Sequence, residues 1–247
     1  NNSRFEKGVN SLYAMATVGF KDMVYLDVTS RTDFSSTLPD AIPYYYPSAS
    51  LSVLMNEILG ITSNNINLIK LRGGYAIAGN DASPYMLYSM LGNAGTWGDV
   101  PRLSTSGTLL IEDLKPELAT SYEAGIDVNL FRNRFRLAAT YYLVDNKNQI
   151  FSTGLPPSTG YSSKNINAGL LRSYGYELTV GGTPVQSRNW RWDINANLTR
   201  NRTKVMELAD EMPYFTYWED AKGGAYTFLG EEVGDIYGPK VRVVEDK

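Results

Sequence analysis

The chain has 247 residues and a formal net charge of −3, which argues against a nucleic-acid partner because nucleic-acid-binding surfaces are normally basic. It contains no histidine and no cysteine, and this excludes a Ser-His-Asp triad, an imidazole base, a thiol nucleophile and a disulfide framework. We therefore predict that the protein is not an enzyme and has no cofactor and no metal site.

Eight segments alternate apolar and polar residues with the period of two that marks a β-strand with two different faces. In chain order these segments are 12–18, 24–29, 48–55, 69–77, 122–130, 135–143, 176–181 and 190–199. Several reach the roughly 9–11 residues that a tilted strand needs to cross a bilayer, whereas no apolar run approaches the roughly 20 residues of a membrane-spanning helix. The pattern predicts an all-β protein with antiparallel strands.

The connections between these segments alternate in length. Short connections at 19–22, 131–134 and 184–189 and a middling one at 56–67 alternate with long ones near 31–47, 78–118, 145–173 and 200–247. Short periplasmic turns and long extracellular loops are typical of outer-membrane β-barrels. The pattern therefore predicts a segment of a transmembrane β-barrel, with the long connections outside the cell.

Aromatic residues fall at two levels along the predicted strands. Phe131, Phe135, Trp190 and Trp192 lie near the short turns, and Tyr122, Tyr141, Tyr174 and Tyr176 lie near the long loops. Two aromatic girdles around an apolar band are expected of a wall that faces lipid. A soluble β-sandwich also has alternating strands, but its loops rarely alternate in length, so the barrel is the favoured interpretation.

The charged residues at the polar strand positions are candidates to face the barrel lumen. They are Asp27, Lys70, Arg72, Glu123, Asp127, Arg136, Glu177 and Asp193. Asp127 could form an ion pair with Arg136 on the neighbouring strand of its hairpin. Glu123 and Asp127 are four strand residues apart, or about 13 Å, which is beyond the roughly 5–9.5 Å spacing of a glycosidase carboxylate pair. A polar wall is thus favoured over acid catalysis.

Aromatic side chains in the long loops are candidates to contact a partner or a substrate. They are Tyr85, Tyr88 and Trp97 in the loop near 78–118, and Trp218 in the segment after residue 200. Such residues can stack on sugar rings or pack against a protein, and they can equally pack within their own loop. The nearby Gly92, Gly95 and Gly98 do not form a phosphate-binding loop, because no Lys-Ser/Thr pair follows them.

Several motifs resemble a known family. Leu114-Lys115-Pro116-Glu117, followed by Tyr122-Glu123-Ala124-Gly125, resembles a recurrent barrel segment of TonB-dependent receptors. The stretches 45–51, 71–75, 79–81, 167–169, 175–179, 192–197 and 201–205 are similar to the SusC/RagA-like branch of Bacteroidota. Ser173-Tyr174 stand where that branch often has Asn-Lys, and Gly73-Gly74 stand where it often has Ala-Ser.

The resemblance implies a 22-stranded barrel in the outer membrane of a Gram-negative bacterium, filled by an N-terminal plug and energised through TonB. Such proteins import oligosaccharides or peptides, usually with a SusD-like surface lipoprotein. Residues 1–247 would supply about eight strands, surrounded by outer-membrane lipid, without the plug or the TonB box. Because the sequence stops at Val244-Glu245-Asp246-Lys247 without a closing strand, we expect the barrel to be incomplete.

Two other interpretations stay open at this stage. Eight strands can close alone, which would give a small self-contained outer-membrane barrel acting as an adhesin or anchor. The alternating strands could also build a soluble secreted β-sandwich that binds carbohydrate. The three interpretations differ in whether the sheet is open, closed on itself, or packed on a second sheet.

Overall fold

The structure is a computed structural model and describes residues 6–37, 43–88, 91–110, 114–167, 169–209, 212, 214–220 and 223–238. Its strands, in chain order, are β1 (Val9–Phe20), β2 (Val24–Ser35), β3 (Tyr44–Leu54), β4 (Ile66–Asn80), β5 (Leu91–Trp97), β6 (Val100–Thr105), β7 (Thr108–Leu109), β8 (Glu117–Leu130), β9 (Phe135–Lys147), β10 (Ile150–Gly154), β11 (Ser163–Asn167), β12 (Leu170–Gln186), β13 (Arg191–Glu207), β14 (Tyr214–Asp220), β15 (Gly223–Phe228) and β16 (Ile236–Tyr237). A short helix α1 (Met55–Ile58) and a 3₁₀ turn (Pro157–Thr159) accompany them. Within these ranges no helix is long and apolar enough to span a membrane.

Eight long strands form one antiparallel sheet, which we call the wall, in the order β1-β2-β3-β4-β8-β9-β12-β13. These strands correspond one to one to the eight predicted segments, so the all-β prediction is confirmed. In the part of the chain that the structure describes, β1 and β13 are the two edges and do not pair with each other. The open wall contradicts the interpretation as a small barrel closed on itself.

The wall has one apolar face, which is exposed. A row across all eight strands shows it: Phe20, Val24, Val53, Leu71, Ile126, Ala139, Leu178 and Leu198 lie side by side through the strand register. Phe20 is 62% exposed and Leu198 is 55% exposed. The buried hydrophobic residues of the described ranges are only Ala82, Leu114, Leu170, Val205 and Ala225. A sandwich would bury this face against a second sheet, so the sandwich interpretation is wrong.

The predicted aromatic levels lie on this apolar face. The rings of Tyr75 and Tyr122 are 5.2 Å apart between centroids, and Tyr141 lies directly opposite Tyr176. Toward the short turns the same face carries Phe135 and, at the start of β13, Trp192. The apolar rows therefore lie between two aromatic levels, as a wall facing lipid requires.

Short turns set the register of the hairpins. Lys21 and Asp22 between β1 and β2 have φ of 51° and 56°, the left-handed conformation of a type I′ turn, and the amide of Met23 donates to the carbonyl of Phe20 at 3.0 Å. A three-residue run with positive φ, Phe131 to Asn133, connects β8 to β9 and makes Leu130 face Phe135. These turns match the right-handed twist of the strands that they join.

The predicted long loops are shorter than expected at their edges, because the strands extend past the apolar band. β2 continues to Ser35 and β3 starts at Tyr44, so much of 31–47 belongs to the wall. Likewise β13 continues to Glu207, into the segment that was predicted as a loop from residue 200. The predicted chain end at Val244-Glu245-Asp246-Lys247 lies outside the described residues.

The remaining long connections carry small sheets of their own. The connection from β4 to β8 contains the hairpin β5-β6, and β7 from the same connection joins β10 and β11 in a three-stranded sheet. The segment after β13 forms the sheet β14-β15-β16. All three small sheets follow the ends of strands opposite the short turns.

Candidate functional site

The eight charged candidates for the lumen share one face of the wall, which we call the polar face. The register links them: Asp27 lies opposite Ser50, Ser50 opposite Gly74, and Gly74 opposite Glu123. On the other side of β8, Asp127 lies opposite Ala138, and Gly181 of β12 lies between Arg136 and Asn195. Because alternate residues of a strand share a face, Lys70, Arg72, Glu177 and Asp193 belong to the same set. That this face points into a lumen stays a prediction.

Arg72 is the centre of a charged network on the polar face. Its guanidinium Nη1 donates to Glu123 at 2.5 Å, and its Nε lies 3.6 Å from a carboxylate oxygen of Asp127. A further hydrogen bond runs from Nη2 to the hydroxyl of Thr140 on β9. One side chain of β4 thus contacts the adjacent strand β8 and also reaches β9, the strand beyond it. A groove lined by Asp27, Ser50, Lys70, Arg72 and Glu123 lies over this part of the sheet.

Gly125 is the residue that lets Arg72 reach across β8. A β-carbon at this position would lie 2.8 Å from Nε of Arg72 and 3.1 Å from the carbonyl oxygen of Ala139. A side chain there would displace the guanidinium, because the Ala139 oxygen belongs to backbone that cannot easily move. The close approach of Arg72 and of the Ala139 carbonyl oxygen therefore explains why the motif Tyr122-Glu123-Ala124-Gly125 ends in glycine.

The prediction of an ion pair between Asp127 and Arg136 is wrong. The turn after β8 pairs Leu130 with Phe135, which places Asp127 opposite Ala138 and Arg136 opposite Asn129. Asp127 faces Arg72 instead, and Arg136 donates to Asn195 of β13 at 3.5 Å. The two residues are on one face, but they are two positions out of register.

Three other candidates have polar neighbours on the same face. Asp27 accepts a hydrogen bond from Thr17 at 2.6 Å and another from Ser50 at 3.4 Å. Asp193 accepts from Thr183 at 2.5 Å and from Arg191 at 2.8 Å. Glu177 lies between Thr140 and Thr199 in the register. The polar face thus carries hydrogen-bonded side chains from Thr17 on β1 to Asp193 on β13.

The loop aromatics lie on different structural units. Trp97 ends β5 at the tip of the β5-β6 hairpin and is 76% exposed, and Tyr88 is 63% exposed. Trp218 lies on β14 in another small sheet and is 48% exposed. Tyr85 differs, because its hydroxyl accepts a hydrogen bond from the amide of Glu6 and its φ is 64°. Tyr85 thus has a contact within the chain, whereas Trp97 and Trp218 present their rings to the surroundings.

Asp81, just after β4, is a polar contact that sequence reasoning missed. It accepts from the hydroxyl of Ser35 and forms an ion pair with Lys7 at 2.9 Å, so it connects the outer ends of β1, β2 and β4. Burial alone would raise the pKa of the Asp81 carboxyl, but the Ser35 hydrogen bond and the hydrogen bond and charge of Lys7 together lower it below its usual value. The stretch 79–81 supported the SusC/RagA-like resemblance, but it did not show that Asp81 contacts Ser35 and Lys7.

An aromatic cluster on the sheet β14-β15-β16 was also missed. The rings of Tyr214, Tyr226, Phe228 and Tyr237 pack at centroid distances of 5.4–6.0 Å. A hydrogen bond from the Tyr237 hydroxyl to Glu231, at 3.0 Å, raises the pKa of that tyrosine. The density of aromatics after residue 213 was visible in the sequence, but the pairing that assembles them was not.

An open antiparallel wall with an apolar face between two aromatic levels and a charged opposite face defines a segment of an outer-membrane β-barrel. Residues 1–236 match the family described as "TonB dependent receptor-like, beta-barrel". The chain belongs to this TonB-dependent receptor β-barrel family.

Curated relatives are of the same kind. The chain is 28% identical over 238 residues to TonB-dependent receptor P39 of Formosa agariphila. The aligned region covers 94% of this chain and 22% of that protein. It is 24% identical over 181 residues to TonB-dependent receptor SusC of Bacteroides thetaiotaomicron, covering 69% of this chain and 18% of SusC. The chain therefore spans about a fifth of the length of these relatives.

Solved structures share the fold. A chain in the "Structure of the RagAB peptide transporter" matches with a TM-score of 0.81 and 22% identity, covering 91% of this chain and 25% of that chain. The siderophore receptor PirA from Pseudomonas aeruginosa matches with a TM-score of 0.53 and 16% identity, covering 89% of this chain and 39% of that chain. The wall is thus a partial barrel, and the higher score with RagAB agrees with the SusC/RagA-like resemblance.

Proposed function

We propose that the chain forms part of the wall and the exterior loops of an importer that carries oligosaccharides or peptides across the outer membrane, energised through TonB. The observation that carries the proposal is the pair of faces. The charged network around Arg72 lies directly behind an exposed apolar face, as in a barrel that has lipid outside and a polar passage inside. Membership of the TonB-dependent receptor family and the SusC-like relative support nutrient import.

In this proposal the rest of the polypeptide supplies the plug and the TonB box. The curated relatives are about four times as long as the chain, so there is room for both outside residues 1–247. The small sheets β5-β6 and β14-β15-β16 lie outside the cell, since they follow the strand ends opposite the short turns. Asp27, Lys70, Arg72, Glu123, Asp127, Arg136, Glu177 and Asp193 line the passage.

A SusD-like surface lipoprotein is the proposed partner, and the exposed rings of Trp97 and Trp218 are the proposed contacts to it or to the substrate. The main alternative within the same family is a receptor that works without a lipoprotein lid. The two differ in one observable. Full-length protein extracted from its own membrane in mild detergent should bring a stoichiometric lipoprotein with it if the lid exists.

The test of import uses the native bacterium. A strain lacking the full-length gene should lose uptake of one substrate class, measured with labelled oligosaccharide and labelled peptide mixtures, and the intact gene should restore it. Uptake should also stop when the proton-motive force is collapsed, because TonB transmits that energy. Unchanged uptake of both classes in the deletion strain would contradict the import function itself.

Loop variants then separate the roles of the exposed rings. Trp97→Ala or Trp218→Ala should reduce either lipoprotein recovery or substrate uptake, and Tyr161→Ala, an exposed loop tyrosine on another hairpin, is the control. Wild-type lipoprotein recovery and wild-type uptake in both tryptophan variants would remove these residues from the proposed contacts.

A further inference from the structure

The apolar face of β13 changes its chemistry abruptly along the strand. Trp192, Ile194, Ala196 and Leu198 are followed on the same face by Arg200, Arg202 and Lys204. The register shows that these three cations remain on the apolar side: Arg200 lies opposite Tyr176, Arg202 opposite Tyr174 and Lys204 opposite Arg172. Four cationic side chains thus stand on the side of the wall that carries the apolar rows.

The position of these cations along the strand is that of the membrane interface. Arg200 is level with Tyr176 and Tyr141 of the aromatic belt, and Leu198, one row closer to the short turns, is level with Leu178 and Ala139. From Arg200 to Lys204 the strand rises about 13 Å, or about 9 Å along the membrane normal at a tilt of about 45°. That distance is close to the thickness of one headgroup layer, roughly 5–8 Å.

Protein carboxylates balance only part of this charge. Arg172 forms a bidentate pair with Asp145, at 2.6 and 2.8 Å, and Arg202 pairs with Glu232 at 2.5 Å. Residues around Glu232 run along the outer end of β13, with the amide of Val233 donating to the carbonyl of Thr203 at 2.8 Å. Within the described residues, Arg200 and Lys204 form no ion pair, and the cluster keeps two positive charges in excess.

A groove lies beside these cations. Tyr141, Tyr174, Tyr176, Arg200 and Arg202 line it, and its volume is about 310 Å³. Its walls are aromatic and its border is cationic. An anion that enters it must come with an apolar part, because the groove opens on the face that contacts the membrane.

We propose that Arg200, Arg202, Lys204 and Arg172 form a binding site for the phosphate-bearing headgroup of a lipid in the outer leaflet. Guanidinium groups bind phosphate through two parallel hydrogen bonds, and cations in the interface are stabilised by anionic lipids. The tyrosines of the groove contact the sugar or the first methylene groups of the same lipid. The inference rests on the outer-membrane placement and loop orientation in the proposed function, but not on which substrate is carried.

The test uses the full-length protein in a charge-neutral detergent, with diphosphorylated lipid A as the probe and native mass spectrometry as the readout. The wild type should retain lipid A, and the Arg200→Gln/Lys204→Gln double variant should bind it about tenfold or more weakly, since two interfacial cations are lost. This variant leaves the Arg172–Asp145 and Arg202–Glu232 pairs in place, so the fold should be kept. Lipid A stripped of its phosphates should bind the wild type as weakly as it binds the variant.

The matched control removes two cations from the polar face, Lys70→Gln/Arg136→Gln, and should bind lipid A like the wild type. Equal lipid A binding by the wild type and the Arg200/Lys204 variant would overturn the proposal, as would an equal loss in the control. An ion pair between Arg200 and an acidic side chain elsewhere in the full-length protein would also overturn it. Measuring substrate uptake in the same strains separates the two proposals, because a failure of import leaves the lipid measurement intact.

Discussion

Arg72 shows how a single residue organises the polar face. Its ion pairs are partly exposed, with side-chain exposures of 33% for Arg72 and 47% for Glu123, so they contribute only about 0–1 kcal/mol to stability. Their geometric effect is larger, because the guanidinium crosses Gly125 and reaches Thr140 two strands away. The network therefore fixes where charge lies in the proposed passage more than it holds the wall together.

The close approach at Gly125 gives a prediction. Gly125→Ala should displace Arg72 and lower stability by about 1–3 kcal/mol, the usual cost of overpacking. Gly74→Ala, on the same face, should have little effect, because a β-carbon there lies 3.9 Å from the nearest atom, the β-carbon of Glu123. The measurement is the temperature at which half of the full-length protein loses its heat-modifiable folded band. Equal decreases of this temperature in the two variants would show that the close approach of Arg72 to Gly125 is not the cause.

Asp81 gives a prediction that depends on pH. Its pKa is lowered in the folded protein, so its stabilising contacts are complete above the usual carboxyl pKa and are lost as the pH falls through the folded value. Pepsin cleavage after β4, corrected for pepsin activity on an unfolded substrate, should therefore rise as the pH decreases below about 4. Asp81→Asn should show the raised cleavage already at pH 5, and Asp99→Asn, in the exposed β5-β6 turn, should behave like the wild type. Wild-type cleavage that does not change between pH 5 and 3 would contradict this role.

At this scale, alternation predicted the face of each charged residue but not its partner. All eight candidates lie together because a period of two fixes the side of the sheet. The partner depends on how the turn closes, and the turn after β8 moves Arg136 two positions away from Asp127. The contacts of Asp81 join residues up to 74 positions apart in sequence, from Lys7 to Asp81, which no local pattern contains.

The eight strands of the wall could be predicted in number and in chain order, but not in length. The predicted segment 176–181 is the centre of β12, which runs from Leu170 to Gln186. Beyond the apolar band both faces are polar, as at Arg172 and Ser173, so alternation disappears while the backbone hydrogen bonds continue. The small sheets of the long loops were missed for a related reason, since strands such as β7 are too short to show a period.

The first hairpin gives a prediction at the level of elements. Lys21 and Asp22 adopt left-handed conformations that Asn-Gly favours, so Lys21→Asn/Asp22→Gly should stabilise the protein by about 1 kcal/mol. Ser187→Gly, in the short turn before β13, should instead destabilise it. Ser187 has no positive φ, and its hydroxyl accepts a hydrogen bond from the amide of Trp190 at 3.1 Å. The heat-modification midpoint measures the stability of both variants. A lower midpoint for the Asn-Gly variant would show that the left-handed backbone at Lys21 and Asp22 does not destabilise the protein.

For the whole molecule, the order of loops and the two faces could be predicted, whereas the substrate could not. Every lipid-facing wall needs the same apolar rows, such as the one from Phe20 to Leu198, so these rows carry no information about cargo. The exposed Trp97 and Trp218 suit a sugar, a peptide or a protein surface equally well. The family is thus visible in the wall, and specificity depends on loop surfaces that composition does not define.

The central claim is that the apolar face contacts lipid and the polar face lines a passage. Nitroxide labels on single cysteines along β8 test it most directly, in the full-length protein reconstituted in a bilayer, and the chain contributes no cysteine of its own. Labels at Ala124, Ile126 and Val128 should be accessible to oxygen dissolved in the membrane, and labels at Glu123, Asp127 and Asn129 to a water-soluble nickel complex. Accessibility without this period of two, or with the two faces reversed, would contradict the account.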